Sequence, residues 1–204
     1  AHEEDSKDLI EMLEKNKDVW QKKAPIFVLQ KFVQGVEVGV GAFFNGNDFI
    51  YPININFEHK KLFPGNLGPF VGEMGTSMYW SKSNKIFQAT LEKMLPALRE
   101  SKYVGYIDIN CIVNGSGIYP LEFTSRFGYP TIQIQQEGII SPMGEFLYKL
   151  AKGEKFELKA KRGFQIGVRI MIPSYFVPKR EASDTINMYR DLPIMFKNPR
   201  NMEG

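Results

Sequence analysis

At 204 residues and 23.4 kDa, the chain is long enough for one ordinary domain or two small lobes. Its 43% hydrophobic and 24% charged residues exclude a disordered chain, and no apolar run reaches the roughly 18 residues a membrane helix needs. A single cysteine, Cys111, excludes a disulfide framework and a multi-cysteine zinc site. With only His2 and His59 as histidines, any metal must be held by oxygen. The net charge of +3 sets 26 basic against 23 acidic residues, too even a balance to imply nucleic acid. The densest basic stretch, Lys159, Lys161 and Arg162, reads as a solvated surface. Glu3, Glu4 and Asp5 stand where a signal peptide would carry basic and apolar residues, so a cytoplasmic protein is expected, with neither membrane nor nucleic acid as partner. The chain begins at Ala1 rather than methionine, so its start is expected upstream.

Asp5 and Ser6 suit the cap of a first helix with Leu9, Ile10 and Leu13 on one stripe and Trp20 near its end. Pro25 breaks that pattern, and Ile26-Phe27-Val28-Leu29 reads as a buried strand. Two apolar runs, Glu37 to Phe44 and Phe49 to Ile55, flank Asn45-Gly46-Asn47-Asp48 and predict a hairpin. From Glu58 to Trp80, four glycines, two prolines and no clear period predict a long binding loop. A helix is expected from about Ser83, carrying Ile86, Phe87, Leu91, Met94, Leu95 and Leu98, with Pro96 kinking or shortening its last turn. A second hairpin follows, Val104 to Ile112 and Ile118 to Phe123 around Asn114-Gly115-Ser116-Gly117. Ser141 to Leu150 predicts a short helix ending near Gly153, and Phe164 to Ile172 a further strand. The tail after Pro173 has no period. Strands, hairpins and helices mixed in this way indicate an α+β fold.

The second hairpin gathers the polar chemistry. Asp108 and Asn110 point to one side of their strand, Ile109 and Cys111 to the other. A three-residue loop, Gly115-Ser116-Gly117, sets Asn110 opposite Glu122 and Asp108 opposite Thr124. A two-residue loop would set Glu122 against Ile109 and mix an acid into the apolar face, so the longer loop is preferred. Asp108, Asn110, Glu122 and Thr124 then share one face, as oxygen ligands for a magnesium ion that keeps several waters or as a polar side of the sheet turned to solvent. Cys111, on the apolar side, reads as a buried structural thiol.

Three segments resemble one known family. Val28-Leu29-Gln30-Lys31-Phe32-Val33-Gln34-Gly35-Val36-Glu37 resembles the hinge of ATP-grasp ligases. Glu58-His59-Lys60-Lys61, continuing through Gly65-Asn66-Leu67-Gly68-Pro69-Phe70-Val71-Gly72 to Gly75, is similar to a glycine-rich loop of the phosphoribosylamine–glycine ligases. Leu121-Glu122-Phe123-Thr124-Ser125-Arg126-Phe127-Gly128-Tyr129-Pro130 is similar to that family's metal and substrate motif, and the likeness runs from about Ile26 to Ser174. The resemblance implies ATP and magnesium as cofactors. It implies Gln30, Lys31, Phe32 and Val33 as the adenine hinge and Glu37 as the acid on the ribose hydroxyls. Lys61 stands where the family has a phosphate-side arginine, and keeps a point charge without the bidentate fork. Glu122 matches a magnesium ligand, Thr124 replaces a ligating asparagine, and Arg126 matches the arginine of the substrate-side motif, the catalytic residue the resemblance implies.

Phe70 replaces an asparagine that contacts nucleotide in the family, Tyr129 and Thr131 replace acidic residues, and Glu73 replaces a glycine. The family's N-terminal domain and the small-lobe lysines that cap ATP have no match, so a fragment of a longer protein, or loss of half the nucleotide clamp, is expected. The fold implied is the large lobe of an ATP-grasp protein, an antiparallel sheet with flanking helices. Residues 1–25 would form a helix at the edge of the small lobe, 26–155 the nucleotide- and metal-binding lobe, and 156–204 the start of the family's C-terminal domain. The activity implied joins glycine to phosphoribosylamine at the expense of ATP. The partners are then ATP, an amino acid such as glycine and a phosphorylated sugar amine. The alternative is a diverged nucleotide-binding or regulatory protein that has lost ligation.

Overall fold

A computed structural model describes residues 6–23, 26 and 28–170. Helix α1 spans Ser6–Lys23, as the stripe of Leu9, Ile10 and Leu13 predicts; Asp5 lies outside the described residues. Six strands form one sheet in the order β5-β4-β1-β2-β3-β6, where β1 is Val36–Asn45, β2 Phe49–Phe63, β3 Leu67–Ser81, β4 Val104–Asn114, β5 Gly117–Thr124 and β6 Phe164–Val168. The pairs β1–β2, β1–β4 and β4–β5 are antiparallel. The described residues divide into two compact units, one within 6–58 and 77–166, the other of 59–76 and 167–170.

In the first unit, alternation along the strands sorts the side chains into two faces. One face buries Val38, Val40, Ala42, Phe44, Ile53, Ile55, Ile107, Ile109 and Cys111 against Phe87, Leu91 and Leu98. Those last three come from a segment expected as one helix. It is instead α2 (Lys85–Ala89), a 3-10 turn (Leu91–Met94) and α3 (Leu95–Glu100). Asn84 caps α2 by accepting from the Ile86 and Phe87 amides, both at 3.0 Å. The break comes at Thr90, whose hydroxyl donates to the Ile86 carbonyl at 2.6 Å and whose φ of −125° and ψ of −92° leave the helical region. Pro96 therefore opens α3 rather than kinking a last turn.

The opposite face buries Phe43, Ile50 and Tyr106 with Ile139, Phe146, Leu150 and Leu158. Its cover includes the expected helix, α5 (Met143–Ala151), and an unexpected one, α4 (Thr131–Gly138). Three of α4's eight residues are glutamines, so no apolar period announces it. Ile134 and the side chain of Gln135 are nonetheless buried.

Three other expectations change. The Glu58–Trp80 stretch is strand, not loop: β2 runs on to Phe63 and β3 starts at Leu67. Gly65, Asn66, Gly68 and Gly72 have φ of 73°, 60°, 81° and 90°, and such interruptions hide the two-residue period. The proposed strand Ile26–Leu29 does not form. Ile26, Val28 and Leu29 are 89%, 80% and 69% exposed, and Phe27 lies outside the described residues. Third, the β4–β5 loop has two residues, because Asn114 pairs with Gly117. The expected facing of Asn110 with Glu122 and Asp108 with Thr124 is still present. Cys111 pairs with Pro120 and Asn110 with Glu122, so Leu121 is the extra residue of a β-bulge that restores the register. Of the predicted strand Phe164–Ile172, Phe164–Val168 forms and Ile172 lies outside the described residues.

The β1–β2 turn fastens this unit. The buried Asn45 side chain accepts from the Asn47 and Asp48 amides at 3.0 and 2.9 Å and donates to the Gly153 and Glu154 carbonyls at 3.3 and 2.9 Å. Gly46, at φ 93°, supplies the left-handed step of the turn. Asn45→Ala should therefore cost about 2 kcal/mol and lower Tm by several degrees in thermal unfolding. Removing the half-exposed Asp48–Arg99 ion pair by Asp48→Ala should cost under about 1 kcal/mol. The Cys111 thiol is fully enclosed, and burial, with the charge of Asp108, pushes its pKa up to about 11. Since the folded value lies above the unfolded one, stability should be constant at neutral pH and fall as pH rises from about 9 through 11. At about pH 8, iodoacetamide should label Cys111 only after denaturation.

Candidate functional site

The second face of the first unit carries three cross-strand rows. Glu37 on β1 stands opposite Ile112 on β4, which faces Tyr119 on β5. Two residues along β1, Asn56, Gly39, Asn110 and Glu122 line up across β2, β1, β4 and β5. Two further on come Asn54, Gly41, Asp108 and Thr124. At about 3.4 Å per residue the first and third rows lie about 14 Å apart. The four residues read from the hairpin as an oxygen cluster do share a face, though not as a solvated one. Asp108 and Asn110 are each 8% exposed, whereas Glu122 is exposed and Thr124 half-buried.

The glycines in the middle of the rows make the cluster possible. A Cβ on Gly39 would lie 2.2 Å from Asn56 Oδ1, and one on Gly41 1.8 Å from the Tyr106 hydroxyl and 2.6 Å from Asp108 Oδ2. Space vacated over β1 lets Asn56 Nδ2 and the Tyr106 hydroxyl both donate to Asp108 Oδ2, each at 3.0 Å. Bonds to a buried carboxylate are among the stronger ones. Burial and the charge of Asp108 push the Tyr106 hydroxyl pKa well up, so it stays a proton donor across the usual pH range. Asn56 Oδ1 and both polar atoms of the Asn54 amide are buried without a hydrogen-bond partner. Asn54, Asn56, Tyr106, Gly39 and Gly41 had no place in the sequence reading. The signal available was the alternation of Gly39 and Gly41 with Val38, Val40 and Ala42.

Arg126 follows β5 on an exposed segment and donates to the Phe127 carbonyl at 3.1 Å. Phe127 anchors that segment, its ring 6.1 Å from both Phe43 and Tyr106 and nearly parallel to the latter. Gln30, Lys31 and Phe32 are exposed and Val33 and Glu37 half-buried. Gln30 Nε2 donates to the Leu121 carbonyl at 2.9 Å, which holds the segment beside β5. Lys61 and Phe70 belong to the second unit and meet each other there, the ammonium 5.2 Å from the ring centre. In the same unit Thr76 hydrogen-bonds Glu73.

The family model described as phosphoribosylglycinamide synthetase, ATP-grasp (A) domain, matches residues 1–132. The chain belongs to that family. It is 31% identical over 156 residues to a phosphoribosylamine–glycine ligase of Listeria innocua, covering 72% of this chain and 37% of the relative. It is 26% identical over 166 residues to one of Lactococcus lactis, covering 78% and 40%. The crystal structure of phosphoribosylamine–glycine ligase from Thermotoga maritima superposes with a TM-score of 0.50 at 24% identity, covering 74% of this chain and 39% of that one. The ATP-grasp sheet with flanking helices is thus the fold expected from the sequence. The chain spans about two fifths of the length of these relatives.

A magnesium ion of the kind the family implies is compatible with the donors present. Among the described residues no three His, Cys, Asp or Glu side chains cluster, so these residues form no closed cage of such ligands. The protein offers Glu122 beside Asn110 and Asp108 beside Thr124. That is an oxygen set for a cation that fills its shell with water and phosphate.

Gly41→Ala should destabilise the protein by about 2 kcal/mol, since the new methyl displaces the Tyr106 hydroxyl. Tyr106→Phe deletes the atom nearest that methyl but leaves Cζ at 2.4 Å and Asp108 Oδ2 at 2.6 Å, so the same change there should be relieved only in part. A double-mutant cycle of denaturant unfolding reads the difference.

Proposed function

We propose that the chain binds magnesium–ATP on the second face of its first unit and serves a carboxylate–amine ligase of the phosphoribosylamine–glycine type. The observation that carries this reading is the succession of rows. The first row carries an acid, Glu37, and two rows of oxygen donors follow over about 14 Å, while Gln30, earlier in the chain, is bonded to Leu121 of β5. Backbone groups of Gln30 to Val33 would take the adenine edge, and Glu37 the ribose hydroxyls. Glu122 and Asn110 would hold magnesium, with Asp108 and Thr124 completing the oxygen set. Magnesium, when bound, neutralises charge on the phosphates.

In that reaction a glycine carboxylate oxygen attacks the γ-phosphorus of ATP and ADP departs. The amine nitrogen of phosphoribosylamine then attacks the acyl carbon, expelling phosphate and losing a proton. Arg126, on the segment pinned by Phe127, would orient an anionic substrate group. No covalent nucleophile is needed from the protein, which is consistent with the buried Cys111. Catalysis then rests on positioning and electrostatics. We assign residues 1–25 to the edge of the small lobe, 26–155 to the nucleotide and metal lobe, and 156–204 to the start of the C-terminal domain. The purine pathway and the cytoplasm are the setting this reading implies; no described helix is long and apolar enough to cross a membrane.

Calorimetric titration of the chain with ATP, with and without magnesium, tests the reading. Binding should be magnesium-dependent and no tighter than about 1 μM. In Glu122→Gln the magnesium dependence should be lost while the unfolding midpoint stays unchanged. No binding by the unmodified chain would overturn the reading, and full magnesium dependence in Glu122→Gln would overturn the metal assignment.

A further inference from the structure

Residues 30–34 have no regular secondary structure and are largely exposed, Phe32 at 51%. No ladder holds them, yet both ends of the segment are fixed. At one end Gln30 Nε2 donates to the Leu121 carbonyl at 2.9 Å. Leu121 is the extra residue of the β5 bulge and has no residue opposite it on β4. At the other end Asn114 Nδ2 donates to the Gln34 carbonyl at 2.7 Å. The next residue, Gly35, runs so close to β4 that a Cβ there would lie 2.6 Å from both Ile112 Cγ2 and the Val113 carbonyl oxygen.

Asn114 does a second task with its other atom. Its Oδ1 accepts from the Ser116 and Gly117 amides at 2.8 and 3.1 Å and closes the two-residue β4–β5 turn. One amide group thus joins the 30–34 segment to the turn of the hairpin whose strands carry Asp108, Asn110, Glu122 and Thr124.

We propose that Asn114 is a positioning residue for nucleotide binding, which with Gln30 lashes the 30–34 segment to the β4–β5 hairpin and fixes the platform for the base. The proposal rests on the nucleotide-binding reading above. An untethered segment would have to be ordered at each binding event, at an entropic cost that lowers affinity for the base while leaving the phosphate and metal contacts intact.

The two atoms of Asn114 allow the two roles to be separated. Asn114→Asp keeps the oxygen that closes the turn and removes the donor to Gln34. Gln30→Glu similarly removes the donor to Leu121, at an exposed position where folding is not at stake. Calorimetry would compare magnesium–ATP with magnesium–tripolyphosphate, alongside hydrogen exchange of the 30–34 amides. Each variant should weaken ATP binding roughly 3- to 10-fold, the size expected for one hydrogen bond. Tripolyphosphate binding should be unchanged, and exchange at 30–34 should accelerate while exchange at 115–117 in Asn114→Asp does not. Unchanged ATP affinity in both variants, with the unmodified chain binding ATP, would overturn the tether alone. Equal losses for ATP and tripolyphosphate would overturn it too, as a general structural effect. Failure of the unmodified chain to bind ATP would overturn it together with the reading it rests on.

Discussion

The polar half of the first unit depends on two missing side chains. Gly39 and Gly41 lie in β1, flanked by β2 on one side and β4 on the other. With any larger residue, the space over them could not hold Asn56 and the Tyr106 hydroxyl. Without those donors Asp108 would be a buried carboxylate stripped of two hydrogen bonds, a situation that costs several kcal/mol or forces protonation. Glycine weakens a strand interior. Here that weakness is offset on the opposite face, where Val38, Val40, Ala42 and Phe44 of the same strand are buried. One strand therefore supplies stability with one set of residues and room for polar groups with the alternate set.

What the sequence disclosed follows the same logic. Alternation placed Cys111 and Ile109 in the core and Asp108 and Asn110 on the other face, because a half-apolar strand has one way to turn. The turn Asn45–Asp48 was legible from residues that make turns for local reasons. The β4–β5 loop was misjudged for an instructive reason. Facing of Asn110 with Glu122 follows from the polar pattern, but a loop of three residues is not the only means of setting it, and the chain uses a bulge instead. A bulge leaves no mark in the hydrophobic pattern other than a shift of phase.

The remaining errors come from non-local facts. The apolar run at 26–29 reads as a strand because apolar runs usually find cover, and composition does not show that Ile26, Val28 and Leu29 stay exposed. Glycines between 65 and 75 looked like loop because their positive φ interrupts the period of two ladders that continue past them. Helix α4 escaped because its buried side is made partly by Gln135 and Thr131, which carry no helical signal. Motif resemblance singles out Glu37, Glu122 and Arg126 as candidates from residue type alone. Nothing in the residue types singles out Asn54, Asn56 and Tyr106, whose burial and bonds come from cross-strand neighbours.

The bulge at Leu121 joins these two levels. Were Leu121 instead paired in the ladder opposite Asn110, Glu122 would fall opposite Ile109 and turn to the apolar face, since a one-residue slip reverses every side chain beyond it. The same inserted residue leaves a carbonyl without a facing strand residue, and that carbonyl accepts from Gln30. Register of the oxygen donors and position of the 30–34 segment are thereby set at one point on β5. Because β5 is an edge strand, one of its carbonyls can accept from outside the sheet, while the bulge at the same residue sets which way the side chains beyond it point.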